Sequence, residues 1–205
     1  MAAERVVYVV DDDAAVCRSL KRLLETAGFR TMFYAMPSAF LDVAKSLPVG
    51  CALLDVRMPE MDGFELQARL QEMKVGLPVI VVTAQGDVQG VVRAMKAGAV
   101  DFIEKPYDDE TLISAIEFAL KRGARADRSI EITEAAARIA KLSRREHEVL
   151  DALALGHSNK VIANDLGISV RTVDVHRARM MDRLDVRQFA DAIRLAILAR
   201  LAGQE

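Results

Sequence analysis

Hydrophobic and polar positions follow two alternating periods along the first half of the chain. Short β-branched or apolar runs are followed by stretches with an apolar residue every three or four positions, and the pair of patterns repeats five times between residues 6 and 106. Such alternation predicts an α/β fold with a doubly wound, five-stranded parallel sheet covered by helices. The predicted strands are 6–10, 31–35, 51–56, 79–83 and 100–104.

From residue 142 onward the pattern is helical. Ser143 and Glu146 have the spacing of a capping box, and Ser158 and Ser169 stand where two further helices begin. A tight connection at Gly167 separates the middle pair of four predicted helices. This spacing predicts an all-α domain with a helix-turn-helix arrangement.

The two patterns divide the chain into three segments. Residues 1–122 form the α/β domain and residues 142–205 the helical domain. Between them, 123–141 contains no proline and is rich in Ala, Arg and Glu, so a helical linker is expected.

Composition narrows the class of protein. The chain has 205 residues, 52% of them hydrophobic, with 28 basic and 30 acidic residues, which is typical of a globular protein and argues against disorder. Its apolar runs fall short of the roughly 20 residues that a membrane helix needs, and the N-terminus lacks the pattern of a signal peptide. We therefore expect a cytoplasmic protein without membrane association.

Polar residues collect where the predicted strands end. Asp11, Asp12, Asp55, Thr83 and Lys105 all lie at or just after the end of a strand. Ligands bind outside the carboxyl ends of the strands in open α/β sheets, so one crevice is expected to hold these side chains. Clustered carboxylates favour Mg²⁺, and an aspartate in such a site is a candidate acceptor for a phosphoryl group.

Five short motifs in residues 1–122 resemble, in order and spacing, those of the receiver domain of two-component response regulators. They are Val-Val-Asp-Asp-Asp at 9–13, Leu-Leu-Asp-Val-Arg-Met-Pro at 53–59, Met-Asp-Gly at 61–63, Val-Thr-Ala at 82–84 and Asp-Phe-Ile-Glu-Lys-Pro at 101–106. The resemblance implies a flavodoxin-like strand order of 2-1-3-4-5. It also implies that Asp55 is the phosphoacceptor and that Asp12, Asp55 and the backbone carbonyl of Arg57 bind Mg²⁺, with Asp11 assisting through water.

The same resemblance assigns roles to three further residues. Thr83 would sense the phosphoryl group, Lys105 would pair with it, and Phe102 would turn inward as the switch when Thr83 moves. It also implies a cis peptide bond between Lys105 and Pro106.

The fourth helix contains Gly90 near its start, which weakens a helix by about 1 kcal/mol relative to alanine. We expect its surface, around Val91, Met95 and Phe102, to rearrange on phosphorylation and to form a dimer face. An ordinary surface helix is the alternative.

The third helix of the second domain lies in the most arginine-dense part of the chain. Val173, Met180 and Leu184 share one stripe and should face the core. The opposite side, which includes Arg171, suits contacts to DNA phosphates, although a solvated face balanced by nearby aspartates is an alternative.

Four motifs here resemble the LuxR-type DNA-binding domain. They are Leu-Ser-Arg-Arg-Glu-His-Glu-Val-Leu at 142–150, Gly-His-Ser-Asn-Lys at 156–160, Ile-Ser-Val-Arg-Thr-Val at 168–173 and Val-His at 175–176. Together the two domains resemble the FixJ/NarL class of response regulators, and its FixJ branch more closely.

The LuxR-type resemblance implies a set of DNA contacts. The residues toward the major groove would be Thr172, Asp174, Val175, Ala178 and Arg179, and those nearer phosphates Lys160, Arg171 and Arg177. Many relatives have a basic residue at the position of Asp174, so an aspartate there would accept a hydrogen bond from cytosine N4 instead. Val175 would contact a thymine methyl group.

The leading hypothesis is a transcription regulator rather than an enzyme. A cognate sensor histidine kinase would phosphorylate Asp55, and the chain would then dimerise and bind promoter sites in double-stranded DNA, with RNA polymerase as a further partner. One alternative is an aspartyl-phosphate phosphatase with Asp11 as its nucleophile. Another is a binding module that works without phosphorylation.

Overall fold

The computed structural model describes residues 5–84, 86–123 and 128–202. In that part of the chain the strands are β1 (Val6–Val10), β2 (Arg30–Tyr34), β3 (Gly50–Asp55), β4 (Val79–Thr83) and β5 (Asp101–Glu104). The helices are α1 (Ala14–Thr26), α2 (Pro37–Ala44), α3 (Gly63–Glu72), α4 (Val88–Lys96), α5 (Asp109–Gly123), α6 (Arg128–Ile139), α7 (Arg144–Ala154), α8 (Asn159–Leu166), α9 (Val170–Arg183) and α10 (Phe189–Ala202).

The chain divides into two compact units. One consists of Met1–Gly86 with Ala97–Ala126, and the other of Asp87–Lys96 with Asp127–Glu205. The first contains the whole sheet, and the second contains the helices from α6 onward together with α4.

The sheet is parallel, with the strand order β2-β1-β3-β4-β5 that the receiver resemblance implied. Neighbouring strands are aligned so that Val10 lies beside Leu54, Asp55 beside Val82, and Thr83 beside Glu104. The carboxyl ends of β1, β3, β4 and β5 therefore meet at one edge.

The strands are apolar because helices cover both faces of the sheet. All five residues of β1 and of β4 are buried, as is β3 except for its last residue, whereas β2 lies at the sheet edge and is partly exposed. A rigid central sheet of this kind fixes the positions of the loops that follow its strands.

Helix boundaries in the second unit largely follow the predicted caps. Ser143 and Glu146 form a capping box at the start of α7, and the Ser169 side chain accepts a hydrogen bond from the backbone of Thr172 in α9. Ser158 occupies the cap position of α8 but makes no capping hydrogen bond with its side chain.

The predicted linker helix corresponds to α6, while residues 124–127 lie outside the described residues. Helix α6 packs against α10. Its Arg138 donates to the backbone carbonyls of Leu184 and Asp185, just after α9. These bonds satisfy carbonyl groups that a helix end leaves without a partner.

Candidate functional site

A charged cluster lies at the carboxyl edge of the sheet. Lys105, which follows β5, places its Nζ 2.7 Å from Oδ1 of Asp55 and 3.1 Å from Oδ2 of Asp11. Asp55 ends β3 and Asp11 follows β1, so three separate strands supply the cluster. The crevice predicted at this edge therefore contains both carboxylates and the lysine.

Backbone amides fix the remaining carboxylate oxygens. The amide of Arg57 donates to Oδ2 of Asp55 at 2.7 Å, and the amide of Asp13 donates to Oδ1 of Asp11 at 2.9 Å. Asp13 is itself the cap of α1, because its side chain accepts from the amides of Ala15 and Val16. Its carboxylate is thus engaged in capping.

The cluster is shielded from solvent. The side chains of Asp11, Asp55 and Lys105 are 6%, 11% and 22% exposed. Burial by itself lowers the pKa of Lys105, but the hydrogen bonds and charges of Asp55 and Asp11 outweigh burial and raise that pKa. The lysine is therefore held in its charged form between the two carboxylates.

The loop after β3 approaches the site closely because of Gly63, the first residue of α3. A Cβ at this position would collide with the backbone carbonyl oxygen of Asp55. The amide of Gly63 donates to the carbonyl of Val56 at 3.0 Å. Gly63 is part of the Met-Asp-Gly motif at 61–63, but its role was not predicted from the sequence.

The donor chemistry of the cluster fits Mg²⁺. Its carboxylates, and that of exposed Asp12, which follows Asp11 in the chain, are hard oxygen ligands of the kind that this ion prefers. Among the described residues, no group of three or more His, Cys, Asp or Glu side chains is arranged to hold a metal. Mg²⁺ is usually bound through one or two carboxylates together with waters and a substrate phosphate, and the carboxylates of the cluster suit a site of that kind.

The residues assigned to switching are buried. Thr83 is 1% exposed and Phe102 is 4% exposed, so the aromatic ring is already turned inward in this structure. The Lys105–Pro106 bond is cis, as the resemblance implied. Glu104 also accepts from the Gly86 amide at 3.2 Å, a contact with the loop before α4 that the sequence analysis did not anticipate.

Val91 and Met95, the residues predicted for a dimer face, lie on α4 and are each 5% exposed. Neither side chain is accessible to a second copy in this conformation. A dimer face that uses them requires α4 to rearrange.

Helix α9 presents one exposed stripe. Arg171, Asp174, Val175, Ala178 and Arg179 are all exposed and recur at the three- and four-residue spacing of one helix face. The opposite stripe of Val173, Met180 and Leu184 is fully buried, as predicted.

The other predicted DNA contacts lie beside this stripe. Lys160 is exposed near the start of α8, and Thr172 is half-buried with its hydroxyl 2.8 Å from that of Ser169. Arg177 is half-buried and has partners within the protein, which were not anticipated from the sequence.

Two family models together cover most of the chain. Residues 7–117 match the response regulator receiver domain, and residues 140–196 match the luxR family of bacterial regulatory proteins. The chain is a two-component response regulator. It joins a receiver domain to a LuxR-type DNA-binding domain and acts as a transcriptional regulator rather than as an enzyme.

Individual relatives extend over nearly the whole response regulator. It is 42% identical over 200 residues to the transcriptional regulatory protein FixJ of Bradyrhizobium diazoefficiens, covering 97% of this chain and 98% of the relative. Identity to FixJ of Azorhizobium caulinodans is 45%, with 96% and 93% covered. The crystal structure of full-length FixJ from B. japonicum has a TM-score of 0.59 at 41% identity and covers 98% of this chain and 99% of that one.

These similarities support the FixJ/NarL class. They also set aside the phosphatase alternative, because the family regulates transcription. In the described part of this response regulator, no helix is sufficiently long and apolar to span a membrane.

Proposed function

We propose that a sensor histidine kinase phosphorylates Asp55 and that the phosphorylated chain dimerises and binds promoter DNA in the cytoplasm. The observation that carries this proposal is the contact of Lys105 Nζ with both Asp55 and Asp11 at the carboxyl edge of the sheet. A partly shielded ammonium group between two carboxylates is suited to a site that accepts a further negative charge.

Asp55 is the nucleophile of the proposed reaction. A carboxylate oxygen of Asp55 forms a bond to phosphorus while the bond from phosphorus to the kinase histidine breaks, and the histidine nitrogen retains the electron pair and takes up a proton. Lys105, now 2.7 Å from Oδ1 of Asp55, transfers its hydrogen bond to a phosphoryl oxygen. Thr83, at the end of β4, donates its hydroxyl to another.

Mg²⁺ is the proposed cofactor, with Asp11, Asp12, Asp55 and the carbonyl of Arg57 as its site. When bound, it would neutralise charge on the phosphoryl oxygens. The Arg57 amide supports this arrangement because it holds Oδ2 of Asp55 at 2.7 Å and so fixes the carboxylate plane.

Phosphorylation acts on a conformational equilibrium. The phosphoryl group favours the active state only to the extent that Thr83 and Lys105 bind it better there. Phe102 responds to Thr83 because the two residues lie on adjacent strands, and the surface of α4 with Val91 and Met95 rearranges into the dimer face. A kinase, promoter DNA, a second copy and RNA polymerase are the proposed partners.

The exposed stripe of α9 is the proposed DNA-reading surface. Arg171 and Arg179 at its ends suit phosphates or base edges, and Val175 suits a thymine methyl group. Lys160 adds a phosphate contact from α8. The remaining predicted contacts are Thr172, Asp174, Arg177 and Ala178.

Intact mass tests the phosphoacceptor. Wild type incubated with Mg²⁺ and a small phosphodonor should gain one phosphoryl group and move toward dimer on gel filtration, whereas Asp55→Asn should do neither. Asp13→Asn is the matched control, because asparagine also caps a helix and the carboxylate of Asp13 is engaged at α1. Modification of Asp55→Asn to the same extent as wild type would refute Asp55 as the acceptor.

A further inference from the structure

Two hydrogen bonds from one side chain connect α8 to α9. The amide nitrogen Nδ2 of Asn159, the first residue of α8, donates to Oδ1 of Asp174 at 2.7 Å. Its oxygen Oδ1 accepts from Nη1 of Arg177 at 2.9 Å. Asp174 and Arg177 are three residues apart on α9 and therefore lie on the same side of that helix. Asn159 is thus held at both ends of its amide.

Arg177 has a second partner in the protein. Its guanidinium carbon lies 4.8 Å from the ring centre of Phe189, the first residue of α10. Burial lowers the pKa of Arg177, and the charge of Asp174 acts in the opposite direction. This arginine therefore connects α8, α9 and α10 through contacts that fix its position.

The two arginines of the exposed stripe differ from Arg177. Arg171 and Arg179 are exposed, and in the described part of the chain their side chains make no hydrogen bond or ion pair to the protein. A guanidinium group without protein partners is available to phosphates, whereas the guanidinium of Arg177 is held in place by its hydrogen bond to Asn159 and its contact with the ring of Phe189.

Asp174 belongs to the exposed stripe, and its carboxylate is held in one orientation by Asn159. An ionised carboxylate can only accept hydrogen bonds. In the major groove, the amino group of cytosine is the donor to which an aspartate is suited, whereas guanine presents two acceptors and adenine sets the N7 acceptor beside its amino donor, and these acceptors would repel a carboxylate. A fixed carboxylate at this position therefore distinguishes between bases.

We propose that Asp174 is a specificity-determining residue that selects cytosine, and that Asn159 and Arg177 are positioning residues which hold its carboxylate toward the groove. The inference rests on the proposed DNA-binding function. Arg177 then acts through Asn159 and not as a phosphate ligand, because its guanidinium is engaged by Asn159 and Phe189.

The test is selection of binding sites from a random duplex library by the full-length phosphorylated protein, followed by affinity measurements on the selected site over a range of salt. Four variants are compared with wild type: Asp174→Asn, Asn159→Ala, Arg177→Ala and, as the matched arginine control, Arg171→Ala. Circular dichroism verifies that each variant is folded.

Asp174→Asn should change the preference at one position of each half-site from cytosine to adenine, since an asparagine pairs with adenine. Asn159→Ala and Arg177→Ala should reduce discrimination at that same position about tenfold. Arg177→Ala should leave the salt dependence of the affinity unchanged, whereas Arg171→Ala should reduce the logarithmic slope by about 0.9 for one lost phosphate contact.

Two results would overturn this inference alone. One is an Asp174→Asn variant that selects the same sequence as wild type at every position. The other is an Arg177→Ala variant that loses salt dependence as Arg171→Ala does while its base preference is unchanged. If wild type selects no sequence, the proposed DNA-binding function itself fails, and the inference fails with it. Should Arg177→Ala not fold, the exposed substitution Asp174→Asn still decides the assignment of specificity.

Discussion

The strand-end cluster of Asp11, Asp55 and Lys105 and the exposed stripe of α9 both depend on charged side chains, but they hold those charges in different ways. In the cluster, side chains from distant parts of the chain are shielded and bonded to one another. On α9, Arg171 and Arg179 face solvent from a single helix. Removing the partner of a shielded charge strongly lowers the stability of the fold, whereas an exposed charge contributes mainly to long-range attraction that salt weakens.

The largest expected effect is the loss of the lysine from the cluster. Lys105→Met should lower the free energy of unfolding by about 3 kcal/mol in the absence of Mg²⁺, because it leaves two shielded carboxylates without their cation. Added Mg²⁺ should reduce the deficit, since the ion would neutralise the same carboxylates. Urea unfolding with and without Mg²⁺ measures both effects.

Lys21→Met is the control for this comparison. The side chain of Lys21 is 59% exposed, and its Nζ lies 4.0 Å from Oε1 of Glu25. Its substitution should therefore change the free energy of unfolding little, and added Mg²⁺ should not alter that change. Equal deficits for the two variants would contradict the distinction between shielded and exposed charges.

A second shielded charge allows the comparison to be made in the helical domain. Burial raises the pKa of Glu146, but the hydrogen bonds from Ser143 and the charge of Arg183 outweigh burial and lower it. Glu146→Gln should cost about 1 kcal/mol at neutral pH. Because the pKa of Glu146 is lower in the folded state, the ionised carboxylate stabilises the fold at pH values above its ordinary pKa near 4.5. This stabilisation is lost as the pH falls through the folded-state pKa. The free energies of unfolding of wild type and variant should therefore converge in acid. Denaturation across that pH range checks the convergence, and a constant gap would refute it.

On α9 the expected effect concerns DNA and depends on salt. Arg179→Ala should weaken binding a few-fold near 50 mM salt and less near 200 mM, because fewer counterions are released from the DNA. Fluorescence anisotropy with a selected site measures this effect. The variant should unfold at the same urea concentration as wild type, and a clear loss of stability would show that Arg179 has a structural role.

The smallest effect is expected at an exposed ion pair within one helix. Arg69 Nη2 lies 2.7 Å from Glu65 Oε1 on α3, and both side chains are about half exposed. Arg69→Gln should cost about 0.4 kcal/mol, and the difference should vanish near 1 M salt. Thermal unfolding at low and high salt is the measurement, and a larger salt-independent loss would place Arg69 with the shielded charges.

Much of the fold was predicted from the sequence because local signals were strong. The alternation of apolar strands and amphipathic helices predicted the sheet, whose observed order is β2-β1-β3-β4-β5. Predicted strands differ from the observed ones by one residue at some ends, as in β2, which begins at Arg30, and β3, which ends at Asp55. The ends of a strand are set by its hydrogen bonds to neighbouring strands, and the hydrophobic pattern of the sequence does not contain that information.

The residues of the candidate sites were also predicted only in part from the sequence. Motif spacing indicated Asp11, Asp55 and Lys105, which lie together, whereas the amide of Arg57 on Asp55 and the close approach of Gly63 became evident only from the structure. Phe102 was expected to turn inward on activation and is already buried here. Side-chain position depends on packing between elements, which periodicity does not encode.

The sequence by itself determined the fold class, the helix-turn-helix pattern and the residue types at the strand ends, because each follows from local periodicity or from a motif. Only the tertiary structure decided which charges have partners. Asn159 meets Asp174 and Arg177 although they are 15 and 18 residues away. Lys105 likewise meets Asp11 across 94 residues. Such contacts form when helices and strands pack together, and the same packing decides how strongly two charges interact, because charges shielded from water interact more strongly than exposed ones.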